Sequence, residues 1–107
     1  MEQSISMVRG DTLSFGIQMT GLNQDVDSMY FSCKENYDDA DYIFQKSLGD
    51  GITKVETGTY TVRVAPVDTQ NISAGEYYYD LQVGVNGDVF TLLKGILHVE
   101  WDVTREA

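Results

Sequence analysis

Residues 72–99, ISAGEYYYDLQVGVNGDVFTLLKGILHV, decide the fold class. They read as one long β-hairpin. Tyr77, Tyr79, Leu81 and Val83 share one face by period-two alternation, and Tyr78, Asp80 and Gln82 share the other. Asn86-Gly87 suits a tight primed turn, whose twist matches the flanking strands. The return strand is less regular. Leu93, Leu97 and Val99 fall on one parity with Gly95, whereas Phe90, Leu92 and Ile96 fall on the other. A bulge near Gly95, combined with outward apolar side chains at Ile96 and Tyr78, accounts for the mixture.

Working outward, residues 12–20 alternate Leu13, Phe15, Ile17 and Met19 with small or polar residues. Residues 28–34 repeat the pattern with Met29, Phe31 and Cys33, and residues 58–65 with Tyr60, Val62 and Val64. Shorter strands are expected at 5–8, 42–47 and 51–55. Turns separate them at Arg9-Gly10-Asp11, Gly21-Leu22-Asn23, Gly49-Asp50-Gly51 and Glu56-Thr57-Gly58, each with a residue that tolerates positive φ. The single proline, Pro66, opens PVDTQNIS, where Asp68 can cap one helical turn; residues 36–41 form a second possible helical turn.

Seven or eight short strands indicate an antiparallel sandwich or barrel. Tyr77 then stands where immunoglobulin-like sandwiches place a corner tyrosine, two residues before the inter-sheet cysteine. Tyr79 occupies that cysteine's place. Cys33 is the only cysteine, so no internal disulfide forms. The expected fold is therefore all-β: a single immunoglobulin-like antiparallel β-sandwich over residues 1–107, with no disulfide.

The 17 acidic and 7 basic residues give a formal net charge of −10. Nucleic acid is a poor partner for such a chain, because phosphate binding needs clustered Lys and Arg, and Arg9, Arg63 and Arg105 are far apart. No apolar run reaches the roughly 18 residues of a membrane helix. The N-terminal MEQSISMVRGD has no signal-peptide pattern, and a reducing compartment is expected.

The combination of VRGDT (8–12), DADYIFQKS (39–47), GEYYYDLQV (75–83) and the segment 92–105, with LLKGILHV leading to DVTR, resembles a family of small phage and prophage proteins. These are encoded among the structural genes of tailed phages and are similar to the immunoglobulin-like N-terminal domain of baseplate upper proteins. The resemblance implies a virion structural or assembly role, with other phage structural proteins or further copies of the chain as partners. It implies no catalytic residues and no cofactor, and a location in the virion or in the bacterial cytoplasm during assembly. The interface residues expected on this reading are Tyr78, Phe90, Leu92, Ile96 and Trp101, with the tail 101–105 docking on a neighbour.

Other motifs read as structure first. Arg9-Gly10-Asp11 is an integrin-type tripeptide in a turn between strands. Glu35, Asp38, Asp39 and Asp41 form the densest acidic cluster; Asp38, Asp39 and Asp41 are weak candidates for calcium, lacking the order of an EF-hand. Asp80 and Glu100 are a conceivable carboxylate pair with nothing to place them in a cleft. His98 alone makes neither a zinc site nor a triad. Gly49-Asp50-Gly51 reads as a hairpin turn, not a phosphate loop. Exposed rings at Tyr37, Tyr42, Tyr78 and Trp101 leave open a carbohydrate-binding or host-surface adhesion module as the alternative.

Overall fold

The computed structural model describes residues 2–21 and 24–104. Eight strands form among them: β1 (Ile5–Val8), β2 (Leu13–Gln18), β3 (Ser28–Lys34), β4 (Phe44–Leu48), β5 (Gly51–Glu56), β6 (Thr59–Val64), β7 (Gly75–Val85) and β8 (Asp88–Glu100), with one helical turn, α1 (Pro66–Thr69), before β7. Strand order is β1-β8-β7-β3-β4-β5-β6-β2. The chain folds back between β4 and β5, so β1-β8-β7-β3-β4 makes one layer and β5-β6-β2 the other. This is an immunoglobulin-like β-sandwich without a disulfide. No helix among the described residues is long and apolar enough to cross a membrane.

Alternation produces the core. Met29, Phe31 and Cys33 of β3 and Tyr77, Tyr79, Leu81 and Val83 of β7 face Ile52, Tyr60, Val62 and Val64 of the opposite layer, and all are buried. Phe31 joins the layers, with ring centroids 5.3 Å from Phe15 and 5.5 Å from Tyr79. These three rings fill the region that a disulfide and its packed tryptophan occupy in antibody domains. The corner also forms: the Tyr77 hydroxyl donates to the Ser73 carbonyl at 2.7 Å. Burial, with the Glu35 charge adding to it, raises the Tyr77 pKa and keeps that proton on the phenol.

Cys33 lies fully inside. Burial pushes its thiol up to about 12. It should resist iodoacetamide in the native state at pH 8 and be alkylated promptly in urea. Rapid native labelling, read by mass spectrometry, would contradict this packing.

Several expectations change. The register shift in the long hairpin lies between Leu81 and Gln82, leaving Leu92 as the extra residue of β8, not at Gly95. Gly95 instead admits the N-terminal backbone: a Cβ there would collide with the Gln3 peptide. Gln3 is held by its amide, which donates to the Lys94 carbonyl at 2.9 Å, and by the Tyr79 hydroxyl, which donates to its carbonyl. The sandwich is not wholly antiparallel. β1 runs parallel to β8, and β4 runs parallel to β5 over two residue pairs. Gly49-Asp50 is thus no hairpin turn; the Ser47 amide donates to the Asp50 carbonyl at 3.0 Å and the chain loops round to resume in the same direction. Residues 36–41 form no helix: the Asp39 amide donates to the Asn36 carbonyl at 3.2 Å and closes a single turn. Of the turn at 21–23, Leu22 and Asn23 lie outside the described residues, as does Arg105 of the tail.

Candidate functional site

The outer face of the five-stranded layer carries the site. Odd positions of β3 and β7 point into the core, so even positions point out. Register then aligns them in rows. Lys34 faces Tyr78, which faces Ile96; Gln45 faces Ser32, then Asp80, then Lys94; Ser47 faces Tyr30, then Gln82, then Thr91. From these rows Tyr30, Ser32, Lys34, Gln45, Tyr78, Asp80, Gln82 and Lys94, with Tyr37 and Tyr42 from the β3–β4 connection, line an open depression of about 520 Å³.

Aromatic surface and polar groups converge there. Tyr37 stacks on Tyr78 with centroids 4.0 Å apart and planes 28° from parallel. Tyr37 is nevertheless 73% exposed, so one face of the pair remains open. Lys34 Nζ lies 5.0 Å from the centre of the Tyr42 ring, a cation–π distance. Gln45 Nε2 donates to Ser32 Oγ at 3.0 Å, fixing the polar floor. Asp80 is half-buried at its centre. Burial raises its pKa, partly offset by the Lys34 charge.

Asp80 is thus a charge held where the fold disfavours it. Its folded-state pKa exceeds the unfolded one, so the ionised carboxylate opposes folding at neutral pH. That penalty fades as pH falls through the folded pKa. Asp80→Asn should raise the melting temperature at pH 7, with the gain shrinking toward acid. A constant gain across pH, or a loss at pH 7, in calorimetry would count against this assignment.

The expected interface residues do not form one patch. Tyr78 and Ile96 are outward neighbours. Beyond the bulge, Phe90 lies opposite Val83 on the core-facing parity, at the far end of the hairpin, and Leu92 packs against the core. Trp101 lies beneath Arg9, whose guanidinium carbon is 4.7 Å from its ring centre. Arg9 also meets Asp102 Oδ1 at 3.0 Å and donates to the Ile72 carbonyl at 3.0 Å. The Gly10 amide donates to Thr69 Oγ1 at 2.8 Å. The Arg-Gly-Asp stretch therefore ties β1 to the α1 region, and its arginine is committed within the fold.

The other motifs stay apart. No group of three or more His, Cys, Asp or Glu among the described residues is placed to hold a metal ion. Asp38, Asp39 and Asp41 do not converge; Asp39 Oδ2 accepts from the Asn36 amide at 3.0 Å. Asp80 pairs with Lys94 and Glu100 with Val8, which separates the two carboxylates by six residues along β8. His98 sits beside its cross-strand neighbour Glu76, Nδ1 to Oε2 3.4 Å.

Of the five tyrosines that line the depression, Tyr79 is core, and sequence reading named three of the other four as surface rings. Tyr30 was missed, although alternation with Met29 and Phe31 already points it outward. Asp80, Lys94 and Gln45 carry no such mark, because only cross-strand register brings them together.

No protein-family model matches the chain, and no curated protein matches it. Among solved structures, the extracellular domain of the voltage-gated sodium channel beta4 subunit, described as a parallel homodimer with a role in cell–cell adhesion, is 12% identical with a TM-score of 0.49, covering 95% of this chain and 93% of that one. A structure described for multimeric cell-adhesive interactions of sodium channel beta subunits is 10% identical with a TM-score of 0.44, covering 96% and 93%.

Proposed function

We propose that this chain is a non-enzymatic binding module of a tailed phage or prophage, acting as a tail- or baseplate-associated structural or assembly protein through protein–protein contacts. The observation that carries the reading is the open tyrosine-lined depression on the outer face of β3, β7 and β8. Tyrosine offers large contact area at small entropy loss and is enriched in protein interfaces. Lys34, Lys94 and Asp80 add both signs of charge, which favours a mixed protein surface over a uniformly charged polymer. The phage context comes from the strand-and-turn resemblance of segments 8–12, 39–47, 75–83 and 92–105.

Mass spectrometry of purified, induced particles tests the reading. The chain should be present, and Tyr37→Ala with Tyr78→Ala should reduce its incorporation without unfolding it. Absence from particles and from assembly intermediates would sink the proposal.

One observation favours a second reading, a carbohydrate-binding or adhesion module. The Tyr37–Tyr78 stack stands beside Asp80, Gln82 and Lys94, an aromatic platform with hydrogen-bonding groups at its edge. A glycan array with hits lost in the Tyr37→Ala variant would establish it, and an empty array would dispose of it.

A further inference from the structure

The layer opposite the tyrosine face ends in an unprotected strand. β2 stands last in the strand order and, among the described residues, pairs only with β6. The Met19 amide donates to the Gly58 carbonyl at 2.7 Å, in the same register as Ile17–Tyr60, Phe15–Val62 and Leu13–Val64. Antiparallel pairs alternate, so the odd-numbered residues carry the ladder to β6. The N–H and C=O groups of Ser14, Gly16 and Gln18 therefore point away from the sheet. β1, the strand nearest in sequence, is committed to β8.

Sheet edges are normally blunted by lysine, proline, a bulge or an inward charge. β2, with the sequence LSFGIQ, has none of these. It lies in the longest uncharged run of the chain, from Thr12 to Gln24, although 24 of 107 residues are charged. Leu13, Phe15, Ile17 and Met19 pack against the core yet remain only half-buried.

We propose that this edge is a self-association site: two copies pair β2 with β2, antiparallel about a two-fold axis at Gly16. In that register Gly16 faces Gly16 of the second copy, and Ser14 faces its Gln18. Each facing pair of outward backbone groups exchanges two hydrogen bonds. On the inner face Phe15 meets Ile17 and Leu13 meets Met19 of the second copy, so the apolar row continues unbroken. Chains of net charge −10 repel over most of their surface, and this uncharged strip is where they approach without like charges meeting. The contact is isologous and closes at two copies.

Charge placement on the solvent face tests it. Ser14→Glu with Gln18→Glu sets like charges opposite each other in the paired register, whereas Ser14→Glu with Gln18→Lys sets opposite charges there. Both leave the β6 ladder intact, and Arg63 faces Ser14 within the same molecule in either case. Sedimentation equilibrium should show a dimer for the native chain and a Kd roughly tenfold weaker or more for the like-charge variant. The opposite-charge variant should recover native association, with thermal melts confirming that both variants fold. A native chain that stays monomeric at its highest soluble concentration overturns the proposal. So does equal association of the two variants, which would put the contact elsewhere. The tyrosine face lies on the other layer, so its proposed role and this one succeed or fail independently.

Discussion

Replacing Phe31 with alanine should remove about 3–5 kcal/mol of folding stability, the range for deleting a fully buried aromatic ring. Phe31 has no solvent exposure and touches rings from both layers: Phe15 at 5.3 Å, Tyr79 at 5.5 Å and Phe44 at 5.8 Å between centroids. The cavity would open at the centre of the sandwich, where strands on both sides are tied into ladders and collapse poorly. Single domains of this size are stable by only about 5–15 kcal/mol, and here no disulfide limits the unfolded chain. Phe31→Ala should therefore lower the urea midpoint strongly at an unchanged m-value. Phe31→Leu, which keeps most of the volume, should lose about 1.5 kcal/mol or less. Equal losses from the two substitutions would show that Phe31 does not span a tightly packed centre.

Asp68→Ala should destabilise by roughly 2–4 kcal/mol, near the range for breaking a buried ion pair and slightly reduced because both side chains keep some solvent contact. Asp68 does two jobs with one oxygen. Its Oδ2 lies 2.7 Å from Lys46 Nζ and accepts from the Ala65 amide at 2.7 Å, satisfying the start of α1. The side chains are 13% and 12% exposed, so removing the carboxylate strands a lysine with little water. Lys46 belongs to β4 and Asp68 to the turn that leads into β7, so the pair ties the edge of the tyrosine-bearing layer to the connection that enters it. Adding Lys46→Met to Asp68→Ala should recover part of the loss, because the stranded charge is then gone. Additive losses in this double-mutant cycle would mean that the two residues are not coupled.

The contrast between these residues bears on how much of the fold was legible beforehand. Phe31 was marked as core by alternation alone. Asp68 was legible as a capping residue, because the proline before it and its short carboxylate are local features. Its partner Lys46 was not, since the two are brought together by the packing of β4 against the α1 connection. Gly95 shows a third case. Its irregular place in β8 was visible, but a glycine within a strand permits either a bulge or a close backbone approach. The bulge went to Leu92, and Gly95 is where Gln3 passes.

The candidate site divides along the same line. Tyr37, Tyr42 and Tyr78 stood out as rings expected on the surface, and Tyr30 was recoverable from its parity. The half-buried Asp80 beside Lys94, and Gln45 bonded to Ser32, depend on which residue of one strand faces which of the next. A one-residue slip would send every side chain of a strand to the other face. The single bulge at Leu92 is enough to separate Phe90 from the Tyr78–Ile96 face.

The sequence by itself determined the strand class, the inward parity of β2, β3, β6 and β7, the corner at Tyr77 and the absence of a disulfide. Each follows from properties of a few consecutive residues: side-chain alternation, turn chemistry and a cysteine count of one. Tertiary structure alone decided the parallel placement of β1 on β8, the Lys46–Asp68 tie, the contacts of Arg9 with Trp101, Asp102 and Ile72, the gathering of the tyrosine-lined depression and the edge position of β2. These depend on register and strand order, which are set by how distant faces bury together, and no local pattern encodes that choice.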